Sequence, residues 1–147
     1  CMKRGLICYY SKSGTTKKAV AHLAKEMTSA RFDFYDIASG GIPSVERYDI
    51  VGFATSVIRD EIPGHFVEFF NRLGNHEGKD AFLLNVGGST YGHALFALAA
   101  LAKRSGFRIV SGYSISEQSG EKPDREEISW FNRYIANLNA FLSPLPA

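Results

Sequence analysis

The chain has 147 residues, 45% of them hydrophobic, which matches one ordinary domain able to bury most of its apolar surface. A formal net charge of +2 with no basic stripe argues against a nucleic-acid partner, because such binders cluster Lys and Arg to displace counterions from the phosphate backbone. The two cysteines imply no disulfide framework: Cys1 precedes Met2 and is taken as extraneous, and Cys8 lies in an apolar run where a free thiol is a small core side chain.

Lys3 and Arg4 followed by an apolar run imitate a signal peptide, but that run covers only residues 5–10, short of the ~7–15 residues of a secretion core. No run approaches the ~20 apolar residues of a membrane span. The expectation is a soluble, cytoplasmic protein folding as one domain over residues 1–147, with its oligomeric state left open.

Continuous apolar runs alternate along the chain with segments of helical period, the pattern of a parallel sheet with helices on both faces. The first strand is expected at 5–10, followed by a helix whose stripe is Val20, Leu23, Ala24 and Met27. A second strand at 32–37 ends in the turn formers Ser39, Gly40 and Gly41. After a short link at 44–48 comes a strand at 49–55, apolar enough to be buried on both faces. Pro63 suits the first turn of a helix that faces inward with Phe66, Phe69, Phe70 and Leu73. Strand four is expected at 81–88, then a helix striped by Leu95, Leu98, Leu101 and Ala102 and closed by Gly106. Strand five follows at 107–115. The last helix comes after "GEKPD" and faces in with Ile128, Phe131, Ile135, Leu138 and Leu142.

Right-handed crossovers make this an open, doubly wound α/β sheet, and ligands of such sheets bind beyond the carboxyl ends of the strands. Three loops lie there, at 11–16, 56–64 and 87–93. In the first, the free N–H groups of a helix start favour an anion, Ser11, Ser13, Thr15 and Thr16 add hydroxyls around Lys12, and Gly14 lets the backbone turn closely. Such a loop suits a phosphate. The plainer alternative is a Ser or Thr helix cap, which needs only one of the four hydroxyls. Other phosphate devices fail on spacing: there is no G-x-x-x-x-G-K-S/T, no G-x-G-x-x-G, and no arginine where a cysteine phosphatase loop starting at Cys8 would need it.

These residues resemble a known family. "SKSGTT" is similar to the flavodoxin phosphate loop, Ser/Thr-x-Ser/Thr-Gly-x-Thr, placed as there between the first strand and the first helix. "YDIVGFATS" resembles the third strand, "NVGGSTYG" the end of the fourth, and "GEKPDREEI" the approach to the final helix; no long insertion interrupts strand five, as in short-chain flavodoxins. The resemblance implies a flavodoxin-like five-stranded parallel sheet of order 2-1-3-4-5 and FMN as cofactor. Its phosphate would rest on Ser11, Lys12, Ser13, Gly14, Thr15 and Thr16. Its isoalloxazine would lie between Ser56, Val57, Ile58 and Arg59 of the second loop and Gly87, Gly88, Ser89, Tyr91 and Gly92 of the third. A flat apolar ring with polar edges needs a stacking face, which Tyr91 can supply, though a tyrosine in a glycine-rich turn is otherwise a surface residue. His93 can touch the flavin rim or simply be exposed, and His22, His65 and His76 share no ligand spacing with it, so no metal site is expected.

The second loop departs from the flavodoxin pattern. Ile58 falls where many flavodoxins carry a tryptophan over the ring, and Arg59 falls near their flexible glycine. "VIRDEIPG" resembles instead the flavodoxin-like domains of protoporphyrinogen oxidases, with their Ile-Arg pair, and of flavodoxins fused to iron-sulfur ferredoxins, with their Ile-Pro. No C-x-x-C-x-x-C occurs, so a cluster within the chain is not expected. Arg59 can favour the anionic edge of a reduced flavin, bind a substrate anion, or pair at the surface with Asp60 or Glu61.

Three functions stay open on the sequence. The first is an FMN-dependent oxidoreductase or electron-transfer module serving a redox partner protein or a small-molecule acceptor such as a quinone. The second is a dedicated one-electron carrier, a reading weakened by the charge of +2, since most flavodoxins are acidic and dock basic partners. The third is a non-redox domain that binds a phosphate-bearing ligand. A phosphorylated receiver fails on residue type, because the first and third strands end in Tyr10-Ser11 and Thr55-Ser56 rather than in acids.

Overall fold

A computed structural model describes residues 2–12, 14–57, 61–87, 93–115 and 125–143. In chain order the elements are β1 (Lys3–Tyr10), α1 (Thr15–Glu26), β2 (Ala30–Asp36), a single 3-10 turn (Ile37–Ser39), β3 (Ile50–Ser56), α2 (Gly64–Leu73), β4 (Asp80–Val86), α3 (His93–Arg104), β5 (Arg108–Ile115) and α4 (Arg125–Leu142). The strands form one parallel sheet of order β2-β1-β3-β4-β5. This is the expected doubly wound arrangement.

Strand alternation divides the core into two layers. On one face Ile7, Tyr9, Ile50, Ala54, Phe82 and Leu84 pack under α1 and α4, which contribute Val20, Leu23, Phe131, Ile135, Leu138 and Leu142. On the other, Leu6, Cys8, Val51, Phe53, Ala81 and Leu83 pack under Phe66, Phe69, Phe70 and Leu73 of α2 and Leu98 and Ala102 of α3. Cys8 is fully buried, and burial pushes its thiol far above the ordinary range, so it is core rather than a nucleophile.

Helix α4 is pinned to the far end of α1. Asn139 Oδ1 accepts the N–H groups of Thr28 at 3.1 Å and Ser29 at 2.8 Å, and His22 Nε2 meets Asn132 Oδ1 at 2.8 Å. Tyr134 reaches the sheet, its hydroxyl 2.9 Å from Ser111 Oγ, and burial pushes its pKa up to about 12.

Several expected boundaries move. The second strand starts earlier, at Ala30, and stops at Asp36, whose Oδ1 accepts the Ala38 N–H at 3.0 Å and turns Ile37 into the 3-10 turn. Ile128 was expected to face in and is 46% exposed. It lies in the first turn of α4, and among the described side chains of that helix the first in the packed layer is Phe131. The link before β3 is no bare connector, since Val45 and Tyr48 are buried against the α2 layer.

Two glycines make room for rings on the α1/α4 face. Gly5 is level with Phe32 on β2 and Gly52 with Phe82 on β4, and a Cβ at either position would collide with the ring opposite. The rings of Phe32 and Phe82 then meet edge to face, 5.9 Å apart. Gly52→Ala is expected to destabilise the fold by about 1–3 kcal/mol through overpacking, and Phe82→Leu in the same chain is expected to recover part of the loss. Urea unfolding of the single and double variants measures both.

Candidate functional site

Because the strands are parallel, Tyr10, Asp36, Ser56, Val86 and Ile115 all end on one edge. The ladder runs one step beyond β3 and β4, with Val57 N–H donating to Val86 O at 3.1 Å and Gly87 N–H to Ile115 O at 2.8 Å. Gly87 has φ 94°, a left-handed conformation that ends the strand at once.

The first loop is built as a cradle rather than as an ordinary cap. The N-cap position of α1 is Gly14, with φ 88° and ψ −10° and no side chain to offer the helix. A Cβ there would meet nothing within 4 Å, so the space above it is open, yet the positive φ disfavours any other residue. No hydroxyl sits at the cap. Ser11 Oγ instead reaches across the loop to accept the Lys17 N–H at 3.2 Å.

Thr16 is fully buried, and its Oγ1 lies 2.8 Å from Ser56 Oγ at the end of β3. Ser56 Oγ also accepts the Lys12 N–H at 3.3 Å and stands 3.5 Å from Tyr10 O. One serine thus joins the end of β1, the phosphate-type loop, the first turn of α1 and the end of β3. The first turn of α1 holds no acidic residue, whereas Lys17 and Lys18 are exposed there and Lys12 is exposed in the loop. None of these three lysines takes part in the ion pairs found among the described residues. Positive side chains at the positive end of a helix are unfavourable without an anion between them.

Ser11, Lys12, Gly14, Thr15, Thr16, Ser56, Val57 and Gly87 are therefore placed at one edge of the sheet. Ser13, Ile58, Arg59, Gly88, Ser89, Tyr91 and Gly92 lie outside the described residues, as do Asp60 and the "GEKPD" segment. His65 stacks on Tyr10, with centroids 4.6 Å apart and planes at 21°, and His93 opens α3 exposed. His22 and His76 serve structure elsewhere, the latter bonding Leu73 O at 3.0 Å. Among the described residues no group of three His, Cys, Asp or Glu is placed to hold a metal ion. A cavity of about 440 Å³ between β5 and α4, lined by Tyr113, Trp130, Arg133 and Phe141, lies on the flank of the sheet and away from these loops.

Sequence reasoning missed Asn85. It is the next-to-last residue of β4, 1% exposed, level with Thr55 on β3 and Ser114 on β5, and its Oδ1 has no hydrogen-bond partner among the described residues. Its neighbour Thr55 is also buried but donates to Ser56 O at 2.9 Å. The available signal was a lone amide inside the apolar run "FLLNV".

Ser56→Ala is expected to leave the Thr16 hydroxyl buried and unpaired, costing about 1–3 kcal/mol, while Thr16→Val alone costs less and the two changes together cost less than their sum. A double-mutant cycle in urea measures the coupling; strict additivity would deny the Thr16–Ser56 bond.

A family model described as a flavodoxin domain matches residues 6–93, more than half of the chain. No curated protein sequence matches. Among solved structures, oxidised flavodoxin 1 from Bacillus cereus superposes with a TM-score of 0.75 at 21% identity, covering 95% of this chain and 99% of that one. A Fusobacterium nucleatum flavodoxin bound to flavin mononucleotide gives 0.73 at 13% identity, covering 95% and 99%. A flavoprotein in complex with FMN from Lactobacillus acidophilus gives 0.61 at 14% identity, covering 88% and 99%. The structural likeness carries the fold, and the family match carries membership: this chain belongs to the flavodoxin family.

Proposed function

We propose that the chain binds FMN and acts as an FMN-dependent oxidoreductase or electron-transfer module. The observation that carries this reading is the start of α1: a glycine in left-handed conformation at the cap, hydroxyls on either side, and two lysines where an acid would otherwise stabilise the helix. A dianionic phosphate satisfies all three features together. The FMN bound by the Fusobacterium and Lactobacillus relatives supports the same identification.

In this reading Ser11, Ser13, Thr15 and Thr16 hold the phosphate together with the N–H groups around Gly14, and Lys12 adds charge. Ser56, Val57, Ile58 and Arg59 flank the isoalloxazine on one side; Gly87, Gly88, Ser89, Tyr91 and Gly92 flank it on the other. FMN, when bound, supplies transfer of one or two electrons. The protein's part is to fix the phosphate, hold the ring and restrict water. The charge of +2 favours a diffusible acceptor such as a quinone, or a partner without a basic docking face, over the acidic carrier's usual partner. We place the protein in the cytoplasm as one domain over residues 1–147; among the described residues no helix is long and apolar enough to cross a membrane.

Titration of FMN with the purified protein, followed by flavin fluorescence, tests the reading. Quenching and a yellow protein are expected, and a colourless protein that ignores FMN would overturn it. Ser13→Ala removes a donor to a charged oxygen, an interaction of roughly 1.5–3 kcal/mol, and is expected to weaken FMN about 10- to 100-fold. Riboflavin, which lacks the phosphate, should bind parent and variant equally.

A further inference from the structure

We propose that Asn85 is a flavin-linked residue, its carboxamide oxygen left without a partner by the fold and paired when the ring and ribityl portion of the flavin is bound. This inference rests on the FMN reading above and adds to it a residue that neither the phosphate motif nor the flanking loops contain.

Asn85 is 1% exposed inside a strand whose other residues on that face are core: Ala81 and Leu83 pack with Phe53, Phe66 and Leu98. A buried carbonyl oxygen without a donor opposes folding, and native proteins leave few such atoms. An apolar side chain would serve the core better, as Leu83 does two residues earlier on the same face. The polar residue is therefore not explained by the packing of the protein's own side chains.

Its position supplies the explanation. Asn85 lies one residue below Val86, and Gly87 then opens the third loop. Across the register it is level with Thr55, which precedes Ser56, the serine that ties β3 to the first loop. The row directly beneath the three loops is thus polar: Tyr10 and Thr55 are level with each other, and Thr55 with Asn85, which is level with Ser114. Within that row Thr55 has a partner and Asn85 Oδ1 has none. FMN brings donors of the required kind, the imide N–H of its ring and the hydroxyls of its ribityl chain. A carboxamide carries both a donor and an acceptor, which suits the imide edge of the isoalloxazine.

The test separates this role from a structural one. Asn85→Leu keeps the branching at Cγ and removes the amide. In the flavin-free protein it is expected to melt no lower than the parent, while FMN and riboflavin affinity both fall about tenfold. Asn85→Ala, which adds no volume, should show the same loss of affinity even if Leu overpacks the site. In the unaltered protein, the Asn85 side-chain amide signal in a 15N–1H spectrum should move on saturation with FMN or riboflavin and stay still with inorganic phosphate. Affinities within twofold of the parent in both variants would overturn the inference, as would a loss confined to FMN or an amide signal that ignores flavin. A buried water already satisfying the carboxamide would appear as lost stability of the empty variants without lost flavin affinity, and would overturn it too. Failure of the parent to bind any flavin would instead sink the FMN reading itself.

Discussion

The constraint on which the structure depends is that all five strands run the same way. Parallel neighbours cannot be joined by tight hairpins, so each connection crosses over the sheet, and the crossing helices bury both faces. Central strands β3 and β4 are buried almost from end to end as a result. The same rule brings every carboxyl end to one edge, where the ladder runs out and loops, side chains or ligands must meet the polar backbone. The site is thus a consequence of topology before it is one of motif.

Burial then sorts the polar groups. Thr16, Thr55, Asn85 and Ser105 are the buried polar residues among those described, and the first three stand at that carboxyl edge. Hydrogen bonds within the protein account for Thr16 and Thr55. The Thr16–Ser56 contact spans 40 residues of sequence, so it couples the position of the first loop to the end of β3. A displacement of either element would leave a hydroxyl without its partner in a low-dielectric setting, where the penalty is largest.

Much of this was legible in the sequence because its signals are local. The apolar runs marked β1, β3 and β4, the 3.6-residue stripes marked the helices, and "SKSGTT" marked the first loop by residue type and spacing. What stayed hidden depends on partners distant in sequence. The start of β2 at Ala30 and Arg31 forms no apolar run because this edge strand alternates, burying Ala30 and exposing Arg31. Ile128 keeps the helical period of its neighbours and still lies exposed, since periodicity gives the face of a helix but not how far the layer beneath extends. Val45 and Tyr48 sit in a link with no period at all, yet the α2 layer buries both. Ser56 was placed beside the ring by its loop, whereas its bonds to Lys12 and Thr16 follow only from the pairing of β1 with β3.

The start of α1 and Asn85 show one logic at two scales. Lys17 and Lys18 occupy a turn where each positive charge opposes the helix dipole by roughly 0.3–1 kcal/mol, and Gly14 gives up the bond that a Ser, Thr or Asp cap would make. Asn85 buries a carbonyl oxygen that no neighbour satisfies. Each choice weakens the fold taken by itself, and each lies along the edge where the strands end. The glycines that face Phe32 and Phe82, deeper in the sheet, do the reverse by removing strain from the core. Local costs that gather at one edge are what a protein shows when a bound group completes its structure.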